Sequence, residues 1–485
     1  MGERANKRSF TQSGRGGRGQ GGGAHRGRGG AKGASPARTS ALEAVRILRE
    51  RDAFAQDVME KTVDVARLSP EDRAFATRLV LGVVSTKGVL DEVLNRCMRT
   101  PHDVTPDVRD ALQISVYEIL FLDKSPHAAV DQGVELVRGI APRAGGVANA
   151  VLRKVAASKA SFPFGNPATD AAAYARLHGF PAWLAARLVS DLGAQDAHEL
   201  IKASNEPAPL YAAVCAAKAT PEVEDEVVAD LEAACAAPEP VEVDGARVAG
   251  CYRLADGRAL LDGRVKRHIA NGCLLVSDAA SQVVASLVLP ADKPASLLEV
   301  GAGRGTKTIL IQSNAQRRYG AQVDGYVTID NHGFKTNLLA DRASDYGVHL
   351  EEALTGDAAR LDEAVGDRAF DVVFIDAPCS GLGTLRRHPE IRWRLRPDVV
   401  TDHARLGLRL LESAAAHVAP GGMLAYATCT VLPEENAHVV ASFLKGAFGE
   451  GFELVPVRGQ AAFATRVASG GTDGHFCAIM RRKAL

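Results

Sequence analysis

From about residue 275 onward, short apolar runs alternate with helix-patterned stretches: SLLEV, then GYVTID, then FDVVFID, then MLAYATC. Runs of this length bounded by turn residues suit strands buried on both faces, and strands separated by helical segments pair in parallel. The alternation predicts a doubly wound α/β sheet over residues 276–485, with FELVPV and HFCAIM as an antiparallel edge pair. Ligands in such sheets bind beyond the carboxyl ends of the strands, so the residues after each run are the ones to inspect.

Upstream the pattern is different. Leu42, Val45 and Leu48 share one face of ALEAVRILRE, and Ser69-Pro70-Glu71 opens LSPEDRAFATRLVLGVV in the manner of a helix cap. With the helical VRDALQISVYEILFL, HAAVDQGVELVRG and GGVANAVLRKVAAS, these predict an all-α domain over 40–157 that carries no catalytic constellation. Residues 158–275 mix a helical PAWLAARLVSDLG, a strand-like LYAAVCAA and an acidic PEVEDEVVADLE, and read as a small adapter.

Residues 1–39 include GRGGRGQGGGAHRGRGGAKG and are too poor in large apolar side chains to offset the entropy of ordering, so a disordered tail is expected. Nine basic residues there (Arg4, Lys7, Arg8, Arg15, Arg18, Arg26, Arg28, Lys32 and Arg38) face Glu3 alone, a net charge of +8 in a chain whose 58 basic and 58 acidic residues balance. Such an arm either solubilises the chain or contacts nucleic acid electrostatically.

No run approaches the roughly 18 consecutive apolar residues of a membrane span, and the N-terminus lacks the apolar centre of an export signal. The eight cysteines form no Cys-x-x-Cys pair and no close Cys/His cluster, which argues against a disulfide framework and a zinc site and for a reducing cytoplasm.

The strand ends hold the chemistry. After SLLEV come Gly301, Ala302, Gly303, Arg304, Gly305, Thr306 and Lys307, where glycines let the backbone approach a ligand and leave N–H groups free at the next helix. The G-x-G-x-G spacing is not the dinucleotide fingerprint, and alone it is equally a tight turn. GYVTID ends in Asp330, where an acid accepts hydrogen bonds from ribose hydroxyls. Asp357, in LTGDAARL, is placed beside an adenine ring or caps a helix. Three such features in order favour an adenosine-containing cofactor. FDVVFID ends at Asp376 and runs into Ala377-Pro378-Cys379, while the following strand ends in Thr428-Cys429. A single cysteine is most often a small core residue, but two at adjacent strand ends beside a cofactor site point to chemistry.

Together, the glycine loop, DAPCSGLGTLRRHPEIRWR, YATCTVLPEEN and DGHFCAIMRR resemble the Sun/Fmu-type RNA (cytosine-C5) methyltransferases, and the upstream helical segment resembles the NusB-like RNA-binding domain fused to them. The resemblance covers nearly everything after the tail. It implies a Rossmann-like domain that binds S-adenosylmethionine, and an RNA substrate, most naturally small-subunit ribosomal RNA, handled by a cytoplasmic monomer. Cys429 is then the nucleophile that adds to cytosine C6, Asp376 lies at the junction of cofactor and target base, and Cys379 assists release. Arg386, Arg387, Arg392, Arg394 and Arg396, with His388 and Trp393 interleaved, are expected to hold the RNA. One departure is the cofactor loop, which in the family reads like C-A-A-P-G-G-K-T; here Arg304 replaces a proline. A milder one is Phe476 after His475, where the family often has two aromatics. The alternatives are the same chemistry on another RNA such as tRNA, a non-enzymatic ribosome-assembly factor, and methylation of an exocyclic amine. The intact Asp376, Cys379 and Cys429 speak against the second, and Asp-Ala-Pro-Cys against the third.

Overall fold

A computed structural model describes residues 33–51, 53–63, 68–122 and 124–484. Six helices open it: α1 (Pro36–Arg51), α2 (Ala55–Thr62), α3 (Pro70–Cys97), α4 (Pro106–Phe121), α5 (Pro126–Ile140) and α6 (Gly145–Ser158). The Ser69 hydroxyl accepts from the Asp72 N–H and Pro70 fills the first turn of α3, as the local sequence predicts. Leu79, Leu90 and Leu94 of α3 pack with Leu112 and Ile114 of α4, Val137 of α5 and Leu152 of α6.

Most of the basic tail expected over 1–39 lies outside the described residues, but its last four residues need correction. They form the first turn of α1. Ala37 is fully buried, and the Arg38 guanidinium grips the buried Glu118 carboxylate at 2.8 and 2.6 Å, so this turn belongs to the helical core.

The adapter begins with three helices, α7 (Ala171–Leu177), α8 (Ala182–Leu192) and α9 (Ala194–Ala203). It continues as an antiparallel sheet of β1 (Leu210–Val214), β2 (Glu239–Val243), β3 (Ala246–Leu254) and β4 (Leu274–Val276) in the order β2-β3-β1-β4. The acidic stretch is a helix, α10 (Pro221–Ala233).

The third part is the doubly wound sheet. Its strands are β5 (Ser296–Val300), β6 (Gly325–Asp330), β7 (Glu352–Thr355), β8 (Phe370–Asp376), β9 (Val418–Thr428), β10 (Phe452–Val455), β11 (Phe463–Ala464) and β12 (Phe476–Arg482). The order is β10-β12-β9-β8-β5-β6-β7, with β11 beside β12. Strands β5 to β9 are mutually parallel, and β12 runs antiparallel to both β9 and β10, the edge pair that the last two apolar runs predict. Alternate residues bury into two layers: Leu297, Tyr326, Phe374 and Ala425 on one face, Leu298, Val327, Ile375 and Tyr426 on the other. Burial on both sides is why these strands read as unbroken apolar runs. Strand order reverses at β5, which opens a crevice at the carboxyl ends of β5, β6 and β8. Among the described residues no helix is long and apolar enough to cross a membrane.

Candidate active site

The loop after β5 is built for close approach. Gly301 adopts φ +78°, and a Cβ there would lie 2.4 Å from the Asp376 carbonyl oxygen. Gly305, at φ +79°, caps the helix Thr306–Tyr319 without a side-chain hydrogen bond, leaving its first N–H groups uncapped by any side chain. A cavity of about 400 Å³ opens here, lined by Gly301, Gly303, Lys307, Asp330, Asp357 and Asp376. Asp330 accepts from the N–H groups of Gly303 (3.1 Å) and His332 (3.0 Å), and each carboxylate oxygen keeps lone-pair capacity for a ribose hydroxyl. Asp357 caps a short helix by accepting from the Ala359 N–H and also lines the cavity. The glycine cradle, the uncapped helix start and the acid on β6 fit an adenosine cofactor with a charged tail.

Four loop residues expected to touch the cofactor do not line the cavity. Thr306 accepts from Arg342, and Ala302 and Gly305 shape the turn behind the cavity wall. Arg304 points away. Its carbonyl accepts from Arg342, while its half-exposed guanidinium lies 3.7 Å from Asp57 of α2, across a second cleft.

That cleft, about 820 Å³, shares Lys335, Cys379 and Cys429 with the first cavity. Neighbouring strands β8 and β9 bring the two sulfurs to 3.4 Å, and the Cys429 N–H donates to the Cys379 sulfur at 3.3 Å. The Cys379 S–H donating to Cys429 holds the Cys429 thiol below its usual range, and the same contact, with burial, pushes Cys379 well up. Beside them Lys307 Nζ reaches Asp376 Oδ2 at 2.7 Å. Burial works against the Lys307 charge, but the Asp376 carboxylate outweighs it and raises the ammonium pKa. Beneath, Glu299 accepts from Thr308 and Tyr326, yet burial pushes its carboxyl up to about 7.

Glu435 is a residue that reasoning from sequence missed. Its buried carboxylate accepts from both the N–H (2.6 Å) and the hydroxyl (2.5 Å) of Ser380, and that hydroxyl lies 2.7 Å from Thr430 Oγ1. It thus ties the loop after Cys379 to the loop after Cys429. The acid pair in PEEN, five and six residues past Cys429, was the available signal.

Three of the five arginines expected along RNA are corrected by the structure. Arg386 is fully buried, donating to the carbonyls of Ala468, Gly471 and Thr472 and pairing with Asp473. Arg387 bridges Asp473 and Asp278. Arg392 lies fully buried over the Phe180 ring and donates to Asn205 and to the Ser204 carbonyl. Guanidinium groups consumed inside the protein do not track a phosphate backbone; these fasten the catalytic loop to the adapter and the C-terminal segment. Arg394 lines the cleft, and Arg396 is exposed, paired with Asp398.

A doubly wound sheet with this cradle at its switch point is the fold of an S-adenosylmethionine-dependent methyltransferase. Residues 286–471 match the family described as 16S rRNA methyltransferase RsmB/F, and residues 35–157 match the NusB family. A putative methyltransferase of Mycobacterium tuberculosis strain H37Rv is 33% identical over 431 residues, covering 84% of this chain and 87% of the relative. The probable ribosomal RNA small subunit methyltransferase B of Bacillus subtilis strain 168 is 28% identical over 420 residues, with 84% and 88% coverage. This chain belongs to the RsmB/F family of ribosomal RNA methyltransferases. In fold it resembles the crystal structure of PH0851 (TM-score 0.75, 23% identity, 93% and 99% coverage) and NSun6 from Pyrococcus horikoshii with SFG (TM-score 0.52, 17% identity, 63% and 99% coverage).

Proposed function

We propose that this enzyme methylates C5 of a cytosine in 16S ribosomal RNA, acting as a cytoplasmic monomer through a covalent Cys429 adduct. The observation that carries the reading is the pair of thiols 3.4 Å apart where the cofactor cavity meets the larger cleft. Methylation of an amine or hydroxyl needs neither. Cytosine C5 is too weak a nucleophile by itself, and thiolate addition at C6 makes it an enamine carbon.

Gly301, Gly303, Lys307, Asp330 and Asp357 would hold S-adenosylmethionine, which would supply an electrophilic methyl group. The target base leaves its stack to enter the cleft. Cys429 Sγ bonds to C6 as a proton from the Lys307 ammonium passes through Asp376 to N3; C5 then takes the methyl group. With Cys429 now a thioether, the charge and hydrogen bond that held Cys379 protonated are gone. Cys379 releases its proton to solvent and takes the C5 proton. The C6–S bond breaks, the C5=C6 bond re-forms, N3 returns its proton through Asp376 to Lys307, and Cys379 again donates to a Cys429 thiolate.

The test is incubation with labelled S-adenosylmethionine and unmodified small-subunit ribosomal RNA, followed by digestion and identification of the nucleoside by mass. Label in 5-methylcytosine that disappears with Cys429→Ala is expected; label in any other nucleoside overturns the reading.

A further inference from the structure

The wall of the substrate cleft opposite the cysteines comes from the N-terminal helical domain. Phe54, at the start of α2, lies at its mouth and is 43% exposed. Its ring meets His388 edge-on, with centroids 5.0 Å apart, and the Arg394 guanidinium carbon lies 5.9 Å from its centre. The backbone on both sides is anchored to the loop that starts at Cys379: the Ala53 carbonyl accepts from Arg394 at 2.7 Å, and the Ala55 N–H donates to Glu390 at 3.3 Å. Trp393, one residue before Arg394, inserts against α3 and donates its indole N–H to the Ser85 carbonyl at 2.8 Å. A Cβ on Gly88 would lie 2.1 Å from the Trp393 ring, so α3 carries a glycine where the indole seats.

A phenylalanine pinned on both sides yet left in solvent is not there for the core. Arg304, Lys335 and Arg394 line the same cleft and match a phosphate backbone passing over it. Aromatic faces beside guanidinium groups are what single-stranded nucleic acid stacks on. We propose that Phe54, backed by His388 and Arg394, is a stacking seat for the unpaired base next to the target cytosine, so that the N-terminal domain forms part of the substrate site. This rests on the reading of the cleft as the RNA channel.

The test uses the full chain and single-stranded RNA oligonucleotides with 2-aminopurine either beside a cytosine or far from it. The wild-type protein is expected to quench the adjacent probe. Phe54→Ala should abolish that quenching and weaken RNA binding about tenfold, with the distal probe unaffected, while Phe54→Trp should retain both. Unchanged quenching and affinity in Phe54→Ala overturn the seat, as does equal loss at the distal probe. Because the readout is binding, it separates the two proposals. Adjacent quenching without any 5-methylcytosine formed would remove the reaction and leave the seat; 5-methylcytosine formed with quenching indifferent to Phe54 would remove the seat alone.

Discussion

The sulfur of Cys379 sits 3.4 Å from that of Cys429, near enough for one proton to be held between them. Removing the donor should therefore change the acceptor. In Cys379→Ala, Cys429 loses its main cause of acidity, so the midpoint of its alkylation by iodoacetamide should move to higher pH. The same variant should accumulate a covalent enzyme–RNA adduct, visible as a slower band on a denaturing gel. Normal turnover with no adduct would contradict the release role.

Lys307 holds one oxygen of Asp376 and leaves the other for the base. Lys307→Met should lower single-turnover methyl transfer by about a hundredfold or more, the range expected when acid–base positioning is lost. Unchanged single-turnover transfer would show that Asp376 does not depend on this ammonium.

Glu299 gives a pH prediction with a definite sign. Its carboxyl has a pKa of about 7 in the fold against the ordinary 4.5 of the unfolded chain. Between those values the unfolded state gives up its proton while the native state keeps it, so this group subtracts stability as pH rises from 4.5 to 7. Glu299→Gln keeps an oxygen to accept from Thr308 and Tyr326 and removes the titration. Thermal unfolding at pH 5 and pH 7.5 should show the wild-type protein losing on the order of 3 kcal/mol relative to the variant across that window.

Arg386 and Arg396 should separate cleanly. Arg386→Ala leaves Asp473 buried with less compensation and should cost on the order of 3–5 kcal/mol in unfolding experiments, without changing the salt dependence of RNA binding beyond what unfolding explains. Arg396→Ala, at an exposed position, should leave stability unchanged and lower RNA affinity with a shallower salt slope. A destabilised Arg396 variant, or an undisturbed Arg386 variant, would reverse these assignments.

The arginine run shows where sequence reading reaches its limit. A charge cluster declares that cations are present but not what neutralises them, and the partners of Arg387 lie 86 and 109 residues away along the chain. The strand ends were legible for the opposite reason. Burial on both faces forces unbroken apolar runs, so Asp330, Asp376, Cys379 and Cys429 could be located by where those runs stop. The β2–β3 hairpin is also legible in sequence: Asp244 and Gly245, at φ +51° and +72°, form the two-residue Asp-Gly turn that hairpins favour. Phe54 carried no local signal, because only the packing of α2 against a loop more than three hundred residues later gives it a role.

Trp393 has a bearing on how such an enzyme can be taken apart or exchanged between species. Its indole belongs to the catalytic half of the chain but sits in a slot in α3, opposite a glycine. A hybrid that joins the helical half of one relative to the catalytic half of another inherits a plug and a socket that never met. Compatibility across that contact, and across the Arg394–Ala53 and Ala55–Glu390 hydrogen bonds beside it, bears on whether the transplanted loop still presents its cysteine.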